Sequence, residues 1–354
     1  MEIIDLLHMA MDSKASDLIL AVGVPPVLRV RGVIKATDLP VLMPDESKRI
    51  IYSMLDDEQR CVYEKKRNID ISYSVSGLAR FRVNIHQQRG SIAAAIRTIP
   101  LKVPSLDELR LPKDIIVKLC NLRSGLVLVT GHSVSGKTTT LAAMIDYINS
   151  NRPSHIITIE DPIEFMHKHK KAVLEQLEIP IDSNSFAEAL NHVMRQNPDI
   201  VMVGEIRDLE TISAAITAAE AGQLVFATLP TLDASDTINR MIGAFSSENQ
   251  QQIRVQLAAT LQGIISQRLV NEAHGNGVIV ACEIALGIPA VKNLIREGNT
   301  HHMLSVVETN AKHGMQSMDQ ALIDLYTKKV INKDELLSNI KDKEREVIKA
   351  IINE

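Results

Sequence analysis

The sequence predicts an α/β protein in which a larger domain with a mainly parallel sheet follows a small α+β domain. Three observations carry this reading. From about residue 112 onward, short apolar β-branched runs alternate with helix-forming segments, the order that builds a parallel sheet covered by helices on both faces. The first 98 residues instead combine helical stretches with strictly alternating strands joined by tight turns, as in an antiparallel meander. Between the two textures, Pro100 and Pro104 punctuate a short linker. The expected organisation is a first domain over residues 1–98, a linker over 99–112 and a second domain over 113–354.

Taken in order, residues 3–11 place apolar side chains at helical spacing, and a strand begins at 17–20. Pro25-Pro26 turns the chain into a strand pair folded about Arg31-Gly32. Residues 45–55 and 57–66 read as helices, with Asp45 and Asp57 near their starts, where a carboxylate accepts free N–H groups. Residues 69–75 alternate strictly, Ser76-Gly77 turns into a strand at 79–85, and a third strand at 91–99 stops at Pro100. After the linker, 105–109 reads as a capped turn. Strands then read at 125–129, 155–160, 200–203, 224–227 and 277–283, with helices at 137–150, 185–195, 208–221 and 234–243. The C-terminal third reads as mostly helical, closing in a highly charged helix near 333–353.

The first strand of the second domain, Val127-Leu128-Val129-Thr130, breaks at Gly131 and continues through a helix-forming segment. Gly131, His132, Ser133, Val134, Ser135, Gly136, Lys137 and Thr138, followed by Thr139, fit the G-x-x-x-x-G-K-[ST] phosphate loop in its required strand–loop–helix setting. The chemistry accounts for the residue types. Backbone N–H groups and the positive end of the helix face an anion. Gly136 admits the backbone close to a phosphate, Lys137 supplies a point charge, and the Thr138 hydroxyl suits a Mg²⁺ ion. The expected ligand is a nucleotide such as ATP with Mg²⁺.

Two carboxylate clusters fall at strand carboxyl ends, where open α/β sheets gather their ligand groups. One strand runs into Glu160-Asp161-Pro162-Ile163-Glu164, and another ends in Gly204-Glu205, in the manner of a Walker B element. Nucleotide hydrolysis needs one carboxylate to hold Mg²⁺ or its waters and another to orient the attacking water. Glu205 suits the first role and Glu164 the second. Arg80, Arg82, Arg89 and Arg97 concentrate on the last strands of the first domain. They read either as a solvated sheet face or as arginine fingers for a γ-phosphate, and the residues alone favour the solvated face. His167-Lys168-His169-Lys170-Lys171 reads as a basic surface loop, and His301-His302 as a solvated helix start.

Composition narrows the alternatives. A net charge of −4 and a pI near 6.3 give no general affinity for nucleic acid. Aromatics make up 3% with no Trp, which leaves few stacking platforms for single strands. Cys61, Cys120 and Cys282 are far apart and odd in number, so neither a disulfide framework nor a zinc cluster is expected. The Met1 end lacks the basic and apolar regions of a signal peptide. The most apolar late stretch, 277–291, is interrupted by Glu283 and Pro289 and is too short to span a bilayer. The expected compartment is a reducing cytoplasm, with any membrane attachment made through a partner.

Together these residues resemble the secretion and pilus-assembly ATPase superfamily, and within it the type IV pilus retraction ATPases of the PilT/PilU kind. The phosphate loop, the acidic box at 158–164 and the segment 199–208 all fit. Ala290-Val291-Lys292-Asn293-Leu294-Ile295-Arg296-Glu297 is similar to the family's retraction-associated segment, and Gly314-Met315-Gln316-Ser317-Met318-Asp319 follows at the expected place. The resemblance implies a PAS-like first domain, a RecA-like P-loop ATPase domain after it, and a homohexameric ring. It implies that arginines of the first domain approach the phosphates, which raises Arg82 and Arg97 to finger candidates. It further implies a motor that disassembles pilin, acting through an inner-membrane platform protein at the cytoplasmic face, beside a paralogous retraction ATPase.

The sequence departs from the family at two histidines, replaced by Gln223 and Pro230, and at His132-Ser133-Val134-Ser135, where Pro-Thr-Gly-Ser is commoner. Gln223 keeps a hydrogen-bonding amide, whereas Pro230 has neither a polar side chain nor a backbone donor. Three rivals follow. The first is a weakly active or non-enzymatic ring subunit assisting a paralogous motor. An extension or type II secretion ATPase is disfavoured by the missing tetracysteine module, and a DNA motor by charge and aromatic poverty.

Overall fold

The computed structural model describes residues 1–30, 32–99, 102–274, 277–342 and 348. They form two compact units: Met1–Lys102 with Glu164–Met166, and Val103–Ile163 with the chain from His167 onward.

In the first unit the elements are α1 (Ile3–Asp12), β1 (Asp17–Leu20), β2 (Val27–Val30), β3 (Val33–Ala36), α2 (Pro44–Tyr52), α3 (Asp57–Lys66), β4 (Asn68–Val75), β5 (Ala79–Gln88) and β6 (Ser91–Thr98). The strands make one antiparallel sheet in the order β3-β2-β1-β6-β5-β4. Period-two alternation sets its faces: on β5, Phe81, Val83 and Ile85 are buried while Arg82 is exposed. Leu6 and Leu7 of α1 and Ile50 and Ile51 of α2 share a core with Phe81, Val83 and Ile96. The start of α2 differs by one residue from the expected one, and α3 spans the expected residues. Pro44 opens α2, so Asp45 lies inside its first turn. Asp56, not Asp57, caps α3 in a reciprocal box with Gln59. Arg31 and Pro100, at the expected turn and strand end, lie outside the described residues.

The second unit opens with α4 (Lys113–Cys120), β7 (Gly125–Thr130), α5 (Lys137–Asn151), β8 (His155–Glu160) and β9 (Val173–Glu178). It continues through α6 (Phe186–Val193), β10 (Ile200–Val203), α7 (Leu209–Glu220), β11 (Leu224–Leu229), α8 (Ala234–Gly243), α9 (Ser247–Thr260), β12 (Leu261–Asn271) and β13 (Val278–Leu286). Then come α10 (Pro289–Glu297), α11 (Met303–Thr309), α12 (Met318–Thr327) and α13 (Lys333–Asn339). The sheet order is β13-β12-β7-β11-β10-β8-β9. All neighbours run parallel except β12 and β13. The central strands are buried on both faces: Leu126 and Leu128 of β7 enter one core, Val127 and Val129 the other.

Two strands have no counterpart in the sequence reading. The β9 segment, Val-Leu-Glu-Gln-Leu-Glu, is made largely of helix formers, and it becomes a strand because the edge of β8 offers a free ladder. β12 follows α9 with no break at the Thr260–Leu261 junction, and pairing with β7 and β13 on its two sides decides its state. Of the charged terminal helix expected near 333–353, α13 covers Lys333–Asn339, and residues 343–347 and 349–354 lie outside the described residues.

Candidate functional site

The phosphate loop leaves β7 beside the end of β11, where the Gly131 N–H donates to Leu229 O at 3.3 Å. A side chain is impossible at Gly131: a Cβ would lie 2.4 Å from both Gln267 O and the Ser135 hydroxyl. Two buried hydrogen bonds tie the loop's flanks to β12, Thr130 Oγ1 to Ser266 Oγ at 2.9 Å and Gln267 Nε2 to Thr140 Oγ1 at 2.8 Å. Downstream, α6, α7 and α8 each have a side-chain cap, from Ser185, Asp208 and Asp233. At α5 the cap residue is Gly136, with no side-chain bond and no acid in the first turn. Its free N–H groups and positive dipole end are thus left for an outside anion. The Ser135 hydroxyl is buried with no partner among the described residues, a second polar group that a phosphate would satisfy. Lys137 Nζ donates to Gly131 O at 2.9 Å and to His132 O at 2.7 Å, which keeps the ammonium against the loop.

Val134 is the strained member of this loop. Its φ of +66° is left-handed, and its side chain is 89% exposed, so no packing compensates a β-branched residue there. Left-handed backbone costs an L residue about 1–2 kcal/mol, of which glycine returns roughly half through its freer unfolded chain. Val134→Gly should therefore raise the stability of the ligand-free protein by about 0.5–1 kcal/mol. A thermal melt that moves down instead would show that the valine is adapted to this backbone.

β10 lies between β11 and β8, with Val203 opposite Ala227 and Ile159. Gly204 follows, and its N–H reaches Ile159 O at 2.7 Å; a Cβ there would come within 3.2 Å of the same oxygen. Thr228 Oγ1 donates to Gly204 O, and the Ile206 N–H to Thr228 O at 2.9 Å. The end of β11 thus contacts the Glu205 loop on one side and the phosphate loop on the other. Arg207 joins the two acidic strand ends: its Nε donates to Glu205 Oε2 at 2.7 Å and its Nη1 to Asp161 Oδ2 at 3.4 Å. The hydrogen bond to Glu205 raises the already high Arg207 pKa. This bridge was not legible in the sequence.

Of the other candidates, Arg82 and Arg97 stand directly opposite each other on β5 and β6, both exposed. Arg97 Nε donates to Asp17 Oδ1 at 3.1 Å, and Asp17 also pairs with Arg29 at 3.4 Å. An exposed pair of this kind contributes about 0–1 kcal/mol, so Arg97 can leave Asp17 at little cost. Glu164 is exposed and groups with the first unit. Gln223 and Pro230 flank opposite ends of β11. Pro230 follows its carboxyl end, and Gln223 precedes its amino end. The expected basic surface loop at 167–171 holds for residues 168–171, which are exposed, and fails at His167. The His167 side chain is 1% exposed, its Nδ1 lies 3.8 Å from Asp146 Oδ1, and burial lowers its pKa. Lys170 holds the same aspartate at 2.7 Å. Cys120 and Cys282 are buried thiols pushed up to about 12 by desolvation, and Cys61 is exposed.

An uncapped helix start behind a phosphate loop, on a mainly parallel sheet whose neighbouring strands end in carboxylates, defines a P-loop nucleotide-binding protein of RecA-like fold. The family described as Type II/IV secretion system protein matches residues 78–350. The chain belongs to that family. The type IV pilus retraction ATPase PilT of Pseudomonas aeruginosa is 44% identical over 334 residues, covering 94% of this chain and 96% of that protein. The type IV pilus ATPase PilU of the same organism is 35% identical, covering 96% and 88%. The crystal structure of the pilus retraction motor PilT with bound ADP superimposes with a TM-score of 0.91 at 42% identity, covering 98% of this chain and 99% of that one.

Proposed function

We propose that this chain is an ATP-hydrolysing motor subunit that drives type IV pilus retraction. The observation that carries this reading is the uncapped amino end of α5, with Lys137 against the loop and the unpartnered Ser135 hydroxyl beside it. It occurs in a chain that covers 96% of a retraction ATPase at 44% identity.

In this reading residues 131–139 cradle the triphosphate and Lys137 balances the β- and γ-phosphate charge. The Thr138 hydroxyl and Glu205 carboxylate are hard oxygen donors of the kind Mg²⁺ takes. Few protein ligands are needed, because that ion keeps waters and phosphate oxygens as its remaining partners. Bound there, Mg²⁺ would neutralise charge on the phosphates. Glu164 orients the water that attacks the γ-phosphorus in line, and ADP leaves. Arg82 and Arg97 offset the charge that develops on the transferred group. The working assembly is a homohexamer of two-domain chains at the cytoplasmic face of the inner membrane. It acts on pilin indirectly through a platform protein, beside a paralogous retraction ATPase and without nucleic acid. Among the described residues no helix is long and apolar enough to cross a membrane, so attachment through a partner is the physical route.

Pro230 favours a second reading, a slow subunit that assists a faster paralogue, because a proline offers no donor at that position. One pair of measurements separates the readings. A gene deletion should leave excess unretracted pili, and the purified chain should turn over ATP with Mg²⁺. Deletion that abolishes pili would overturn retraction in favour of extension, and absent turnover with intact binding would favour the assisting subunit.

A further inference from the structure

We propose that Gln176, on the edge strand β9, is the positioning residue for Glu164. The inference rests on the reading of Glu164 as the water-orienting carboxylate. Glu164 lies in a short span whose two ends are each fastened to β9 by a side chain. On one side the Ile163 N–H donates to Glu178 Oε2 at 3.3 Å. On the other the His167 N–H donates to Gln176 Oε1 at 2.9 Å. Gln176 and Glu178 are two residues apart on a strand, so their side chains emerge on the same face.

Gln176 reaches further. Its Nε2 donates to Glu160 Oε1 at 3.1 Å, and the same oxygen accepts from Thr158 Oγ1 at 2.7 Å. The orientation of the amide is fixed by its neighbours: turned over, it would set NH₂ against an N–H and oxygen against a carboxylate. Glu160 and Glu178 are 4% and 3% exposed. Buried carboxylates are costly without hydrogen bonds, so these form a built network and not a chance contact. The His167 ring at the far end of the span is itself buried. Gln176 therefore couples the end of β8 to the backbone that carries Glu164. Angular placement of a catalytic group is worth a great deal, since a displacement of about 1 Å can cost on the order of 10²-fold in rate.

The test is a double-mutant cycle on the full chain, read as steady-state ATP hydrolysis together with binding of a fluorescent ATP analogue. Gln176→Met keeps the volume and removes both hydrogen bonds. It should lower kcat about tenfold or more, with KM and analogue affinity changed less than about twofold. In a Glu164→Gln background the same substitution should alter kcat by less than about twofold, because the group it positions is already disabled. Gln176→Asn, which keeps the amide but withdraws it by one methylene, should behave like Gln176→Met and perturbs packing less. Native kcat in both Gln176 variants, or a fully multiplicative loss in the double mutant, would overturn the proposal and leave Gln176 a packing residue. Native kcat in Glu164→Gln alone would instead overturn the underlying assignment of Glu164, and the two failures are distinct.

Discussion

Lys137→Ala is expected to abolish ATP hydrolysis and weaken nucleotide binding by about 10- to 100-fold. The lysine is the one ammonium that the loop holds against its own carbonyls, at 2.9 Å from Gly131 O and 2.7 Å from His132 O. A charge-assisted hydrogen bond of this kind is worth about 1.5–3 kcal/mol, which converts to that range of affinity. Turnover falls further than affinity, because charge on the γ-phosphate grows toward the transition state and one electrostatic group there is worth about 10²–10³ in rate. The fold should be unaffected. The loop carbonyls are free to take up water, and Thr130–Ser266 and Gln267–Thr140 continue to hold its flanks. Fluorescence titration, phosphate release and a thermal melt together check this, and hydrolysis at the native rate would remove the phosphate-loop assignment.

Glu205→Gln should separate binding from turnover. The amide keeps the shape of the side chain and loses its charge, while the cradle at residues 131–139 is untouched. ATP should still bind, and turnover should fall at least about tenfold, the lower range for disabling a group that serves a metal-assisted step. The Mg²⁺ concentration needed for half-maximal nucleotide binding should rise as well. Arg207 sharpens the expectation. It holds Glu205 at 2.7 Å and Asp161 at 3.4 Å, and loss of the charge on the first partner shifts its guanidinium toward the second. If binding disappeared while the residual protein turned over at the native rate, Glu205 would belong to the nucleotide cradle and not to metal or water chemistry.

Both substitutions fall on residues that the sequence alone exposed. A phosphate loop is a contiguous device: one strand end, one turn and one helix start supply the glycine, lysine and threonine within a few residues, so local pattern suffices to find it. The acids Glu164 and Glu205 were singled out for a related reason, as residues that follow strand ends in an alternating α/β chain. The edge strand β9 was not, since Val173–Glu178 has the composition of a helix and becomes a strand only against β8. Without β9, the roles of Gln176 and Glu178 could not be read. His167 looked solvated within its run of lysines, yet its side chain is buried, with Nδ1 3.8 Å from Asp146 Oδ1.

The phosphate loop and the strands and helices that flank it are properties of short segments, and the sequence by itself determined them. Which carboxylate meets which partner was decided only by the tertiary structure. Arg207 reaches Asp161 across 46 residues, Gln176 reaches Glu160 across 16, and Gln267 reaches Thr140 across 127. These pairs follow from the sheet order β12-β7-β11-β10-β8-β9, in which sequence neighbours and spatial neighbours differ. A parallel strand can pair with any other strand of similar apolar content, and the choice is made by burying both faces of the whole sheet at once.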